Sequence, residues 1–266
     1  MRAVIRIDDP ADPRIAPYRD IRERDLAGRD GLFIAEGKVV LNVLFAARRF
    51  AARSALILEN RLDGMAGTLA LADPAMPVYV AAGEVLDAIA GFHLHRGILA
   101  LGERRAPEDI GTVLPPAGEP SLVVALAGIA NHDNMGAIFR NAAAFGADAV
   151  VMDSASCDPL YRKAIRVSVG AALKVPFIRS GTADAMVEAL QEAGYAVIAL
   201  SPSGATLLEG LARPHRTALL LGTEGEGLPA PLMQRLDTAR IEICNDFDSL
   251  NVATAGAIAL HHFRKI

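Results

Sequence analysis

Four consecutive polar side chains, Asn131, His132, Asp133 and Asn134, precede an alanine-rich helical run that carries one arginine, Arg140. A helix start is usually satisfied by one capping side chain, which accepts from its first free backbone N–H groups. Three further polar residues exceed that need. His132 could act as a general base, although a loop histidine is more often simply solvated. We predict that this polar start and an Arg140 turned inward among Ala, Ile and Phe belong to a ligand site.

These residues follow the first of several apolar runs that indicate a sheet. Strands are predicted at 121–128, 148–153, 195–201, 217–222 and 239–244, and helices at 135–145, 160–170, 183–193 and 250–264. Near-continuous apolar strands between helices are typical of a parallel sheet covered on both faces. Ligands bind beyond the carboxyl ends of such strands. We therefore expect the loops that follow these strands to converge.

Two of these loops have compositions that suit a ligand. LGTEGEGLP, at 221–229, contains three glycines, which permit positive φ and close approach of the backbone. It matches neither the phosphate-binding P-loop nor the GxGxxG fingerprint, so a nicotinamide-dependent oxidoreductase is a distant alternative. In the segment 246–263, Ser249 or Asp248 is the expected N-cap of the last helix, and Asn251 falls inside its first turn. Because Asn is a poor helix former, a polar role is predicted for it.

A stretch rich in Pro, Gly and charge, at 102–120, separates two regions of alternating strands and helices. It predicts an N-terminal domain at 1–105, a linker at 106–120 and a second domain at 121–266. The N-terminal strands are predicted at 32–37, 54–60, 76–82 and 97–102, with a helix at 38–50. The fold class is therefore α/β, with a small domain before a larger one.

The composition indicates a globular protein of the cytoplasm. No apolar run reaches the ~18 residues of a membrane helix, and the first residues lack the apolar stretch of a secretory signal. The two cysteines, Cys157 and Cys244, make no disulfide framework, which favours a reducing compartment. The histidine pairs at 93 and 95 and at 261 and 262 lack suitably spaced Cys or carboxylates, so we expect no metal site.

Three segments together resemble the motifs of the SpoU/TrmH branch of the SPOUT RNA methyltransferases. They are NHDNMGAIFRNAAAFGADAV, LGTEGEGL and IEICNDFDSLNVATAGAIAL, in the family's order. The resemblance implies a mostly parallel sheet with a deep C-terminal trefoil knot, a homodimer, and S-adenosylmethionine as the methyl donor to a ribose 2′-hydroxyl in RNA. The N-terminal region is more loosely similar to the family's ribosomal-protein-like RNA-binding extension, which favours ribosomal over transfer RNA.

The resemblance also implies roles for single residues. Those implied for catalysis are Asn134, Arg140, Glu224, Ser249 and Asn251, and those implied for the cofactor are Leu200, Ser201, Gly222, Glu224, Gly227, Ile241, Ile243 and Leu250. Because arginine stays protonated, we expect Arg140 to stabilise the developing alkoxide rather than act as a base. Where the family usually has Ile-Pro-Met, this chain has Ile241-Glu242-Ile243, which loses a fixed φ and an adaptable apolar contact.

The net charge of the chain does not decide whether it binds RNA. The formal net charge is −4, but two local clusters could hold RNA phosphates; they contain Arg48 and Arg49, and Arg162, Lys163 and Arg166. Solvated helix faces are the alternative interpretation of both clusters. A non-catalytic RNA-binding or ribosome-assembly protein on the same fold is the alternative to an enzyme, and the intact set of five polar motif residues favours the enzyme.

Overall fold

The structure is a computed structural model, and it describes residues 4–19, 31–90, 96–105, 109–223, 225, 227–244 and 248–264. The chain divides into two compact units. The first comprises Met1–Ala106 and Leu160–Lys174, and the second comprises Pro107–Pro159 and Val175–Ile266.

Strands and helices alternate through the part of the chain that the structure describes. The strands are β1 (Val4–Ile7), β2 (Leu32–Glu36), β3 (Ala51–Leu58), β4 (Val78–Ala81), β5 (Ile98–Glu103), β6 (Ser121–Leu126), β7 (Ala149–Met152), β8 (Phe177–Arg179), β9 (Ala196–Leu200), β10 (Thr206–Leu207), β11 (Arg216–Leu221) and β12 (Asp237–Arg240). The α-helices are α1 (Lys38–Ala47), α2 (Ala66–Leu69), α3 (Gly83–Ala90), α4 (Ile110–Val113), α5 (His132–Phe145), α6 (Arg162–Val167), α7 (Ala183–Glu192), α8 (Ala230–Met233) and α9 (Val252–Phe263).

The first unit contains a mixed sheet in the order β1-β4-β3-β5-β2. Strand β4 pairs in parallel with β1 and β3, whereas β5 runs antiparallel to β2 and β3. Its core includes Ile7, Tyr18, Leu56 and Leu99. Helix α1 ends earlier than predicted, at Ala47, because Arg48 adopts a left-handed φ of 51° and the chain then enters β3.

The segment Leu160–Lys174 does not pack where we expected. We assigned it to the domain at 121–266, but in the structure it belongs to the first unit. Arg162 Nη1 lies 3.6 Å from Glu36 Oε2, at the end of β2. A Cβ on Gly170 would lie 3.0 Å from the Cβ of Val43 in α1. These partners are distant in the chain, so no local pattern indicates the contact.

The second unit contains the predicted parallel sheet. Its order is β10-β12-β9-β11-β6-β7-β8, and every adjacent pair is parallel. All residues of β6 and β11 are buried, as expected for strands covered on both faces. Helix α7 packs Met186, Val187 and Leu190 into the core on one face. Helix α9 packs against the other face, where a Cβ on Gly256 would lie 2.9 Å from Leu221.

The prediction for the last strand was partly wrong. A strand was expected at 239–244, but β12 covers Asp237–Arg240 and residues 241–244 form no regular element. The alternating apolar residues Ile241 and Ile243 resemble a strand in sequence, yet both line a cavity instead. Among the described residues, no helix is long and apolar enough to span a membrane.

Candidate functional site

A cavity of about 340 Å³ opens in the second unit at the carboxyl ends of β9 and β11. Residues predicted to hold a cofactor line it; they are Leu200, Ser201, Gly222, Gly227, Ile241, Ile243 and Leu250. Ser249 and Asn251, which were predicted to be catalytic, line it too. Glu224, predicted for both roles, lies outside the described residues. The expected convergence of loops is therefore found for those that follow β9, β11 and β12, whereas the loop after β6 is not part of the lining.

The glycine-rich loop after β11 forms one wall of the cavity by close backbone packing. A Cβ on Gly222 would lie 2.7 Å from both the backbone N and the Cγ of Leu228, so no larger residue fits there. Gly225 and Gly227 have φ values of 104° and 73°, a region that L side chains rarely adopt. The three glycines therefore allow the chain to fold back sharply beside the cavity.

Ile241 and Ile243 add apolar surface to the cavity. Both are partly buried and line it, whereas Glu242 between them is exposed and lines a separate cavity of about 210 Å³. The carboxylate that replaces the usual proline is therefore not part of the lining of the candidate cofactor cavity.

Two helix starts meet beside the cavity. Asn251 caps α9, because its Oδ1 accepts from the N–H groups of Ala253 and Thr254 at 2.9 and 3.2 Å. Its Nδ2 donates to Asn134 Oδ1 in the first turn of α5 at 2.9 Å. Farther along, Asn141 Nδ2 donates to the carbonyl of Ala253 at 2.9 Å. These bonds bring the predicted residues Asn134 and Asn251 together.

Arg140 is placed differently from our expectation. We predicted an arginine turned inward, but Arg140 is exposed and is not among the residues that line the cavity. The buried face of α5 is formed by Met135, Ile138, Phe139 and Ala142. Position 140 lies on the opposite face, because a helix turns about 100° per residue. The apolar residues that flank Arg140 in sequence therefore do not surround its side chain.

A buried carboxylate that we did not single out holds the loop before α5. Asp153, at the end of β7, accepts from the N–H of Gly128 at 3.0 Å and from the N–H and hydroxyl of Ser156 at 2.9 and 2.7 Å. Ser156 Oγ in turn accepts from the N–H of Ile129 at 3.1 Å. An Asp directly after a buried strand is the signal that could have indicated this role.

The predicted basic residues all fall in the first unit but differ in exposure and in contacts. Arg48 is exposed after the end of α1, and the Arg49 guanidinium lies 5.3 Å from the ring centroid of Phe50. Arg162 is mostly buried in its ion pair with Glu36. Arg166 is exposed and Lys163 is partly exposed. Their roles in RNA binding stay predictions.

No metal site is evident in the described part of the chain, which holds no group of three or more His, Cys, Asp or Glu residues suited to a metal. Residues 93 and 95 lie outside it. His262 Nε2 is 2.8 Å from the carbonyl oxygen of Leu211, and the ring of His261 packs edge-on against Phe145 at 5.7 Å. Both histidines therefore have structural contacts.

The comparison with known families identifies the class of protein. The model of the SpoU rRNA methylase family matches residues 121–261, the region that builds the parallel sheet and the cavity. The chain therefore belongs to the SpoU family of RNA methyltransferases, and the resemblance seen in its three motifs is confirmed.

Particular relatives extend the similarity over almost the whole chain. An uncharacterised tRNA/rRNA methyltransferase of Mycobacterium bovis is 40% identical over 266 residues, covering 95% of this chain and 89% of the relative. Among solved structures, an AdoMet-bound rRNA methyltransferase of Sinorhizobium meliloti has a TM-score of 0.82 at 23% identity, covering 98% and 97% of the two chains. A structure named as an RNA 2′-O ribose methyltransferase has a TM-score of 0.78 at 23% identity, covering 97% and 98%. These structures share the fold.

Proposed function

We propose that this chain is an S-adenosylmethionine-dependent RNA methyltransferase that methylates a ribose 2′-hydroxyl. The cavity beyond β9 and β11 carries the proposal, because seven residues implied for the cofactor line it together. Membership of the SpoU family supports the reaction class. The AdoMet bound to the Sinorhizobium meliloti protein supports the methyl donor, and the name of the second similar structure, an RNA 2′-O ribose methyltransferase, supports the acceptor.

The residues present suit the proposed cofactor. The cavity volume of about 340 Å³ falls within the range typical of small-molecule sites, roughly 300–1,000 Å³. Leu200, Ile241, Ile243 and Leu250 offer apolar surface for an adenine ring. Because residues 241–244 form no strand, their backbone groups are available for the polar edge of the base. Ser201 adds a hydroxyl, and the tight turn at Gly222 brings backbone to the cavity wall.

The chain's own residues would align the acceptor. Bound S-adenosylmethionine supplies a methyl group that its sulfonium already activates, so positioning of the hydroxyl is the main requirement, and alignment is worth several kcal/mol. The exposed Arg140 would contact the phosphodiester beside the target ribose and stabilise the charge that develops on the ribose 2′-oxygen, while that phosphate or water takes the hydroxyl proton. Asn134 and Asn251, held together by their hydrogen bond, and the exposed Ser249 would orient the ribose at the rim of the cavity.

Finer features of the family complete the proposal. We propose a C-terminal trefoil knot, and membership of the SpoU family supports it. We also propose a homodimer, a cytoplasmic location, and a ribosomal-protein-like first unit that recruits RNA. Ribosomal RNA is favoured over transfer RNA because the mixed sheet of the first unit is present in addition to the sheet of the methylase region.

Titration calorimetry with S-adenosylhomocysteine tests the proposal. We expect micromolar binding with about one site per chain. Ile243→Ala should weaken binding roughly tenfold, since it removes apolar contact area. Glu242→Ala, the matched control on the same segment, should leave the affinity within about twofold because Glu242 does not line the cavity.

The outcomes separate the enzyme from its alternative. If the three affinities follow these expectations, the next experiment is to map methylated riboses in RNA treated with the protein and S-adenosylmethionine. No binding by a folded chain would contradict the proposal and favour a non-catalytic RNA-binding protein. An equal loss in both variants would contradict the assignment of the cofactor to this cavity.

A further inference from the structure

Residues 127–131 form the loop between β6 and α5, which the structure describes in full and which does not line the candidate cofactor cavity. The loop nevertheless packs against the cavity wall. A Cβ on Gly128, which has a φ of 69°, would lie 2.5 Å from the Cγ2 of Thr223, and Thr223 lines the cavity. The loop then leads into α5, where Asn134 accepts from Asn251 at 2.9 Å. Its position therefore affects both the cavity wall and the start of α5.

The loop after β7 holds the loop after β6 by its backbone. The N–H of Gly128 donates to both carboxylate oxygens of Asp153, at 3.0 and 3.1 Å. The N–H of Ile129 donates to Ser156 Oγ at 3.1 Å, and the carbonyl of Ile129 accepts from the N–H of Cys157 at 2.7 Å. Three backbone groups of one loop are thus bonded to a single neighbouring loop.

The two side chains that make these bonds are themselves fixed. The N–H and the hydroxyl of Ser156 both donate to Asp153 Oδ1, at 2.9 and 2.7 Å. Arg179, at the end of β8, donates to the carbonyls of Ser154 and Ser156 at 2.6 and 2.7 Å. Asp153 and Ser156 are 6% and 0% exposed. A broken bond at such a site leaves a buried polar group without a partner, so the geometry is strongly held.

A second pair of an aspartate and a serine lies at the other end of β7. Ser121 Oγ donates to Asp148 Oδ2 at 3.0 Å and accepts from the hydroxyl of Tyr195 at 2.8 Å. Ser121 is 0% exposed, like Ser156. This pair lies at the amino ends of β6 and β7, whereas ligands of parallel sheets bind at the carboxyl ends. The chain therefore supplies its own control for the pair beside the cavity.

We propose that Asp153 and Ser156 are positioning residues of the methyl transfer. They act through the loop after β6, in which Gly128 supports Thr223 in the cavity wall. The same loop places the start of α5 so that Asn134 reaches its partner on α9. The inference rests on the proposed function, because it assigns the two residues to that reaction.

Asp153→Asn keeps the size of the side chain and disturbs one contact. Oδ1 accepts from Gly128 and from both donors of Ser156, whereas Oδ2 is placed 3.1 Å from the Gly128 N. An asparagine with its oxygen at the Oδ1 position keeps the bonds to Ser156 but directs an NH₂ group at the N–H of Gly128. Two donors cannot bond to each other, so the substitution displaces the loop after β6.

Titration calorimetry and a methyl-transfer assay measure the two consequences in the full chain. The probes are S-adenosylhomocysteine, and tritiated S-adenosylmethionine with ribosomal RNA transcribed in vitro. Asp153→Asn should weaken S-adenosylhomocysteine binding about fivefold through the displaced wall. It should lower kcat about tenfold or more, because misalignment slows transfer, and leave the KM for RNA within about threefold. Asp148→Asn makes the same chemical change at the other end of β7 and should alter each quantity less than about twofold.

Ser156→Ala and Ser121→Ala separate positioning from stability. Each removes a fully buried hydroxyl that donates to an aspartate and accepts from one donor. The two variants should therefore lower the melting temperature by similar amounts. Only Ser156→Ala should lower kcat, by about fivefold, because only it releases the N–H of Ile129. Equal effects of the two serine variants on kcat would overturn the proposal.

A double-mutant cycle tests the route through α5. Asn134→Ala removes the acceptor of the bond from Asn251. If Asp153 acts on the position of Asn134, the two substitutions together should lower kcat by about threefold less than the product of their separate effects. A combined loss equal to that product would overturn this route.

The two proposals fail in different ways. If the unsubstituted chain binds no S-adenosylhomocysteine and transfers no methyl group, the proposed function is contradicted and this inference with it. If the unsubstituted chain binds and transfers as expected, and Asp153→Asn changes neither quantity, only the positioning role is contradicted.

Discussion

The Asn251 side-chain amide donates to Asn134 Oδ1 at 2.9 Å, so a single hydrogen bond joins the starts of helices α9 and α5. The two residues are far apart in the chain and come from the first and third motifs. Asn251 also accepts from two backbone N–H groups of its own helix. One asparagine thus caps a helix and positions a residue of another helix beside the candidate cofactor cavity.

Asn251→Asp should separate these two tasks. Aspartate caps a helix as well as asparagine does, so the melting temperature should stay close to that of the unsubstituted chain. It cannot donate to Asn134 Oδ1, however, so methyl transfer to RNA should fall at least tenfold. Asn251→Ala should in addition lose about 1 kcal/mol of stability with the cap. Thermal unfolding measures the stability, and incorporation of labelled methyl groups into RNA measures the activity. Full activity of Asn251→Asp would show that donation from residue 251 is dispensable, since the Asn134 amide can turn and donate to the new carboxylate.

Arg140→Ala should strongly lower the rate of methyl transfer and leave stability and cofactor binding almost unchanged. Because Arg140 is exposed, its truncation should change the free energy of unfolding by less than about 0.5 kcal/mol. It does not line the cavity, so affinity for S-adenosylhomocysteine should be unchanged. The rate should fall about 100- to 1,000-fold, as when a stabilising donor is removed elsewhere. Arg140→Lys keeps the charge but not the planar fork and should be intermediate; a fully active Arg140→Ala variant would contradict the role.

The parallel sheet could be predicted from sequence because its signal is local. The apolar runs of β6, β7, β9 and β11 each lie within the predicted ranges or one residue from them. The short strands β8 and β10 were missed, since Phe177–Arg179 and Thr206–Leu207 are too short to show a period. The convergence of the cavity residues followed from the position of their loops after parallel strands.

Features that depend on distant partners could not be predicted. The exposure of Arg140 is decided by which face of α5 packs, and the segment Leu160–Lys174 is drawn to the first unit by contacts such as Arg162 with Glu36. The capping of α9 was expected at Ser249 or Asp248, but the cap is Asn251. Three suitable capping residues within four positions cannot be ranked until packing fixes where the helix starts.

The buried Tyr18 should give the first unit a distinct pH dependence. Tyr18 is fully buried at the end of a 3₁₀ turn, with its hydroxyl 2.7 Å from Ser54 Oγ, and burial raises its pKa above the usual value of about 10. Above that pH the unfolded tyrosine ionises while the folded one keeps its proton, so stability is full below pH about 10 and falls above it by about 1.4 kcal/mol per pH unit.

Tyr18→Phe isolates this effect. The variant should lose about 1 kcal/mol at neutral pH, since the buried Ser54 is left without its partner, but its stability should decline less above pH about 10. Urea unfolding of both proteins at several pH values, followed by circular dichroism, gives the comparison. Parallel pH profiles for the two proteins would show that Tyr18 does not cause the alkaline loss.

Gly222→Ala should damage the candidate cofactor cavity through backbone crowding. The added methyl would lie 2.7 Å from the backbone N and the Cγ of Leu228 and 2.9 Å from the carbonyl carbon of Gly227, and backbone atoms cannot yield as a side-chain tip can. We expect a loss of about 1–3 kcal/mol of stability and at least a tenfold loss of affinity for S-adenosylhomocysteine. Gly210→Ala, in the same unit, meets no atom within 4 Å and should change neither quantity. Calorimetry and thermal unfolding of the two variants measure both, and normal cofactor affinity in a folded Gly222→Ala variant would place the cofactor away from this loop.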